Sequence, residues 1–160
     1  MQRRTVITSD SPLPSMSEAS VVQRLHDHDA MITQNPLVVH YERCQPPADA
    51  PADESHAIWY ELTDRINYLP GLRGHVRYRA CFHDTPQGLQ THIYAPMGVD
   101  IRNEWSVRRG SEGLYLQERV ELRCLLGMTG FIRRTLTRAH RELVARLGQL
   151  DQPWERRVDE

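Results

Sequence analysis

The chain has 160 residues, of which 39% are apolar and 26% charged, and a formal net charge of −1. That is the profile of one folded domain with no general pull toward nucleic acid or acidic membranes. All 20 basic residues are arginine, and the absence of lysine excludes a Schiff-base aldolase, pyridoxal phosphate on its usual lysine and a Walker-type phosphate loop.

The N-terminal residues Thr5-Val6-Ile7-Thr8 are β-branched, and residues 3–8 predict a first strand. Ser15-Met16-Ser17-Glu18 then reads as a capping box. Ala19, Val22 and Leu25 follow at helical spacing and predict a short helix to about His26. A second helical turn is expected over residues 29–33, capped by Asp29 and ended by Asn35-Pro36. Residues 37–44 form a strand, and residues 45–53, QPPADAPAD, a proline-rich loop with little to bury.

Five segments of period-two alternation come next, at residues 56–68, 74–83, 89–97, 99–107 and 114–125, separated by Gly, Pro and Asp turns. Short links between consecutive strands imply an antiparallel meander. The last segment changes period. Met128, Phe131, Ile132, Thr135, Leu136, Ala139, Leu143, Leu147 and Leu150 make one apolar stripe, the mark of an amphipathic helix of about 20 residues. Gly148 and Pro153 are its stop signals. A single domain over residues 1–160 is expected, with its core at about 3–150 and a polar tail at 151–160.

The fold class is therefore α+β, in the order β-α-α-β6-α, with a curved antiparallel sheet wrapped around a long C-terminal helix. This arrangement resembles the START-like (SRPBCC, helix-grip) superfamily, which includes polyketide cyclases and lipid-transfer proteins. Four stretches are also similar to a fungal family of that class with no settled activity: Asn35-Pro36-Leu37-Val38, the run from Trp59 to Arg65, the run from Tyr78 to Asp84, and Thr91-His92-Ile93-Tyr94-Ala95-Pro96. The resemblance implies a pocket between sheet and helix.

Strand alternation sorts the side chains into two faces. Ile58, Tyr60, Leu62, Asp64, Ile66, Tyr68, Val76, Tyr78, Ala80, Phe82, Leu89, Thr91, Ile93, Ala95, Met97, Ile101, Asn103, Trp105, Leu116, Glu118, Val120 and Leu122 face the helix. Glu61, Arg65, Arg77, Arg79, Gln90, His92, Arg102, Glu104, Gln117, Arg119, Glu121 and Arg123 face water, and Trp59 falls on that side too, beneath the proline-rich loop, against the first strand, or through a slip of register.

The inward set carries more polar groups than a sealed core tolerates. Asp64 and Glu118 are the candidate acid–base pair, two carboxylates whose pKa values an apolar chamber would push up and apart. Tyr60 and Tyr78 are the candidate donors to a developing enolate or carbonyl oxygen, with Tyr78 grouped as catalytic. Tyr60, Tyr68, Phe82, Thr91, Ile93, Asn103, Trp105, Val120, Phe131 and Thr135 are the expected ligand contacts. The competing reading is that each carboxylate merely caps a tyrosine hydroxyl or pairs with a rim arginine, and that Phe82 and Trp105 are ordinary core.

No cofactor signature is present. His26-Asp27-His28-Asp29 is the one metal-like spacing, but no further ligand supports it. His40, His56, His75, His83, His92 and His140 are scattered, and His83-Asp84 has no nucleophile beside it. Seven arginines against two acids between Arg119 and Arg146 suit a solvated helix face, an anionic headgroup or an acidic partner, and nucleic acid is not expected. Cys44, Cys81 and Cys124 form neither a zinc knuckle nor a disulfide framework. With no signal-peptide pattern and no spanning apolar run, a cytoplasmic protein is expected, with a homodimer allowed. Two functions compete: a cofactor-independent cyclase, isomerase or pericyclase-like enzyme of specialised metabolism acting on a polyketide- or terpenoid-type intermediate, and a carrier of a lipid or other hydrophobic molecule.

Overall fold

The computed structural model describes residues 1–13 and 16–147. Its elements are β1 (Gln2–Pro12), α1 (Glu18–His26), α2 (His28–Thr33), β2 (Val38–Cys44), β3 (Ile58–Leu69), β4 (Leu72–Thr85), β5 (Gly88–Ala95), β6 (Val99–Gly110), β7 (Gly113–Leu125) and α3 (Thr129–Leu147). This is the order the sequence pattern predicts. The strands form one seven-stranded antiparallel sheet, β1-β7-β6-β5-β4-β3-β2. β2 to β7 are a continuous meander, and β1 closes against β7.

The helix caps differ from expectation. Ser17 caps α1, its Oγ accepting from the Ser20 amide at 3.2 Å; Ser15 lies outside the described residues, as do Gly148, Leu150, Pro153 and the tail. Asp27, not Asp29, caps α2, accepting from the Ala30 amide at 3.0 Å. The reason is that α1 ends at His26 and α2 begins at His28, so Asp27 alone bridges the two helices. Met97 is a second correction. β5 stops at Ala95 because Pro96 cannot donate to the ladder, and Met97 (φ +63°) turns the chain and stands 68% exposed rather than facing inward.

Two apolar clusters fill the concave face. In the larger, Val21 and Leu25 of α1, both fully buried, meet Leu89, Trp105, Leu116 and, from α3, Leu143 and Leu147. In the smaller, Val99, Ile101, Val120, Leu122 and Cys124 sit under Ile132 and Leu136. On the outer face Glu121 is buried instead of solvated, because Arg4 binds it through two 2.9 Å bonds while Arg119 and Arg123 flank it. That bidentate pair ties β1 to β7.

Gly88 opens β5 where the backbone of β6 passes close by. A Cβ there would lie 1.8 Å from the Trp105 carbonyl oxygen, and a main-chain atom cannot rotate away. Gly88→Ala is expected to cost about 2 kcal/mol, measured as a drop in the urea midpoint at unchanged slope. Among the described residues no helix is long and apolar enough to cross a membrane.

Candidate functional site

Asp64 on β3 and Glu118 on β7 both face inward and are buried, but they do not share a hydrogen bond. Tyr78 lies one strand over from Asp64 and two residues along, and its hydroxyl donates to Asp64 Oδ1 at 2.9 Å. Burial pushes the Asp64 carboxyl up to about 6, and the Tyr78 bond and the nearby His140 only partly oppose it. The same burial and the Asp64 charge hold the Tyr78 hydroxyl well above its ordinary value, so it remains a donor.

Glu118 has a different environment. Trp105 stands directly opposite on β6 and donates its indole N–H to Oε2 at 2.5 Å, while His140 Nδ1 on α3 donates to Oε1 at 2.7 Å. The two rings are 5.6 Å apart. His140 is the member of this group that the sequence reading left among the scattered histidines. Its signal was helical spacing: it falls four residues after Leu136 and three before Leu143, on the buried stripe. Two residues before Trp105 on β6, Asn103 is 2% exposed and its Oδ1 has no partner among the described residues. Such an orphan acceptor is uncommon in a native interior.

An opening lies away from the carboxylates. A cleft of about 1320 Å³ lies between α2, the start of β2, the β3–β4 hairpin and α3. Of the expected ligand contacts, Tyr68, Phe131 and Thr135 line it, and the Tyr68 and Phe131 rings stack at 5.7 Å and 15°. Tyr60, Phe82 and Trp105 belong instead to the larger apolar cluster, with Ile93 packed against it, while Thr91 and Val120 are buried elsewhere on the sheet. The cause is α1, which drives Val21 and Leu25 into that half of the concave face. Asp64, Tyr78 and Glu118 do not line the cleft. Asp64 is next to residues that do, since its register partner Val38 and its chain neighbour Arg65 both line it.

The histidines near α2 are engaged otherwise. His26 Nε2 bonds the Thr85 and Gly88 carbonyls, both at 2.9 Å. His28 Nε2–H donates to Asp84 at 2.7 Å and leaves Nδ1 to accept the Tyr60 hydroxyl at 3.2 Å. Asp84 thus serves His28 rather than His83. Among the described residues no three His, Cys, Asp or Glu side chains gather as a metal site.

The proline-rich loop covers more than expected. Trp59 is on the outer face, as its parity requires, yet only 2% exposed, because the loop folds over it and the Glu54 carbonyl accepts its indole N–H at 3.0 Å. The Glu54 carboxylate takes hydrogen bonds from His92 and Tyr94, and His92 Nε2 reaches Asp100 at 2.8 Å. His92, expected in water, is therefore buried. Burial pushes the Glu54 carboxyl up, but the bonds from Tyr94 and His92 outweigh it and hold the group below its usual value. The Cys81 thiol beneath is pushed by burial up to about 12 and is inert.

A curved antiparallel sheet around a long C-terminal helix, open at one end, is the helix-grip fold. The chain is similar in structure to the di-domain ARO/CYC StfQ from the steffimycin biosynthetic pathway, with a TM-score of 0.65 and 11% identity over 91% of this chain and 50% of StfQ. It is similar also to the Zhui aromatase/cyclase from Streptomyces sp. R1128, with a TM-score of 0.51 and 15% identity over 92% of this chain and 90% of that one. A third similar structure is Ara h 8.0201, with a TM-score of 0.57 and 10% identity over 92% and 98% of the two chains. The chain belongs to the DUF7053 family, a domain of unknown function, whose model matches residues 2–152. No curated protein sequence matches it.

Proposed function

We propose that the protein takes a hydrophobic small molecule into the cleft and acts on it without a cofactor, as a cyclase, isomerase or pericyclase-like catalyst of specialised metabolism working on a polyketide- or terpenoid-type intermediate. The observation that carries this reading is Asp64, an inward, buried carboxyl that burial pushes up to about 6, on the strand whose Arg65, Asn67 and Tyr68 line the cleft. Such a group is largely ionised at pH 7 and basic enough to take a proton from a carbon flanked by two carbonyls. The resulting enolate attacks a third carbonyl of the same substrate, a C–C bond forms as that carbonyl's π bond opens to an alkoxide, and the alkoxide takes back the proton from the Asp64 carboxyl. Tyr78 fixes the carboxylate through its 2.9 Å bond, and the shaped chamber holds the substrate near its reactive geometry. The aromatase/cyclase descriptions of StfQ and Zhui support the class through likeness of fold. The likeness of four stretches to a fungal family of the START-like class supports a fungal setting, and three free cysteines suit the reducing cytoplasm.

One observation favours a carrier instead: Asp64, Tyr78 and Glu118 are hydrogen-bonded to protein partners and absent from the cleft wall. The test uses an unreduced poly-β-ketone thioester, which cyclises slowly unaided. The protein is expected to accelerate ring closure, with the rate rising as pH climbs through about 6 because the carboxylate is the active form. Asp64→Asn is expected to lose about 100-fold of that acceleration. Equal acceleration by Asp64→Asn removes the catalytic reading, and ligand retained through purification without conversion establishes the carrier.

A further inference from the structure

Four arginines line the cleft: Arg65 and Arg73 from the β3–β4 hairpin, and Arg134 and Arg138 one turn apart on α3. Among the described residues none of them has a carboxylate within salt-bridge distance, whereas Arg77, Arg79, Arg109, Arg119, Arg123 and Arg146 all do. Other arginines are unpaired as well; what sets these apart is that all four border one recess. The acids on the same recess are mostly occupied. Asp27 caps α2 and Glu142 is ion-paired with Arg146 at 2.5 Å, which leaves Asp29, on α2.

The apolar part of the wall is equally specific. Tyr68 is 44% exposed and stacks on Phe131, so a flat aromatic surface stands open beside the guanidinium groups. An aromatic platform accepts a planar ring face to face or offset, and arginine offers forked donors that match a carboxylate or phosphate. Neither feature alone picks a ligand. Together they suit a molecule with a planar apolar body and an anionic group at one end.

We propose that the cleft selects an anionic amphipath: a ring-bearing or extended apolar molecule whose carboxylate or phosphate is held by Arg134 and Arg138 with Arg65 and Arg73 around it, while its body lies on Tyr68 and Phe131. The proposal rests on the cleft being the ligand chamber and adds the ligand's charge. It gives the arginine-rich face of α3 a purpose beyond solvation.

The test compares three fluorescent probes that share one ring system: 9-anthracenecarboxylate, 9-anthracenemethanol and 9-anthrylmethyl phosphate. With the native chain the two anions are expected to bind about tenfold or more tightly than the alcohol, the worth of one hydrogen bond to a charged group. That advantage should shrink as salt rises from 50 to 500 mM, roughly as screening of partly exposed charges requires. Comparing carboxylate with phosphate tells which anion the rim prefers. Arg134→Gln with Arg138→Gln, both exposed, should abolish the advantage and leave alcohol binding and the circular dichroism spectrum unchanged. Anions binding no better than the alcohol overturn the proposal while the chamber stands. An advantage that persists in the double variant overturns it too, and no binding of any probe overturns both the proposal and the chamber.

Discussion

His140→Ala is expected to lower the folding stability by about 2–4 kcal/mol, the cost of stripping a buried acceptor of its donor and leaving a cavity behind. Glu118 and His140 are 7% and 9% exposed at the side chain, and their 2.7 Å bond crosses from the sheet to the helix. Without the imidazole, Glu118 Oε1 loses its donor and faces a cavity beside the Trp105 ring. Equilibrium urea unfolding of the variant at pH 7 measures the loss. A change below about 1 kcal/mol would mean that the pair contributes nothing the interior cannot replace.

The companion experiment separates the hydrogen bond from packing. Glu118→Met combined with His140→Leu removes both partners and keeps most of the volume, and such exchanges of a buried pair are often neutral. Here recovery should be incomplete, because the Trp105 indole N–H that donates to Glu118 Oε2 is left without an acceptor, at about 1–3 kcal/mol. The double variant is therefore expected to lie between His140→Ala and the native chain, with a coupling energy of about 1–3 kcal/mol between the two positions. The pair ties α3 to β7, so the same cycle reports how far the helix depends on one polar contact for its seat over the sheet.

The strand and helix order was legible because each periodicity is unambiguous where one face is buried. Tyr60, Leu62 and Asp64 alternate with Glu61, Thr63 and Arg65, and a shift of one residue would have put three charged or polar groups into the core. Site residues were legible only as far as parity reaches. Parity puts Asp64, Tyr78 and Glu118 inside, and the structure agrees, but it does not say which inward groups meet. Whether the hollow lies under Trp105 or beside Tyr68 depends on where α1 packs, and nothing in the spacing of Val21 and Leu25 names Leu89 as the surface they cover. The proline-rich loop was read by composition as having little to bury. The residue just after it, Glu54, satisfies three donors on the outer face with its carboxylate and carbonyl, and such long-range partners leave no local signature. His140 was readable in principle, since a histidine at a buried helical position requires a partner.

Asp64→Asn is expected to stabilise the protein, and to do so only above about pH 5. A carboxyl raised from 3.8 to about 6 by burial binds its proton more tightly folded than unfolded. Its contribution to stability is complete below about pH 4 and is lost as pH rises through 6, since ionising it in the fold costs more than in water. The displacement is worth about 3 kcal/mol, so at pH 8 the native chain carries that cost in full and at pH 4 almost none. Asparagine cannot ionise, and its Oδ1 still accepts the Tyr78 hydroxyl. Its amide N–H₂ adds a penalty of its own, but one that does not vary with pH. The readout is therefore the difference between the variant's stability change at pH 8 and at pH 4, expected at about 3 kcal/mol in favour of the variant at the higher pH. A flat difference across that interval would place the Asp64 carboxyl at its ordinary value and remove the ground for reading it as a base. The expected slope, together with lost turnover, would mark a residue kept at the expense of stability, which is the signature of a group retained for chemistry rather than for the fold.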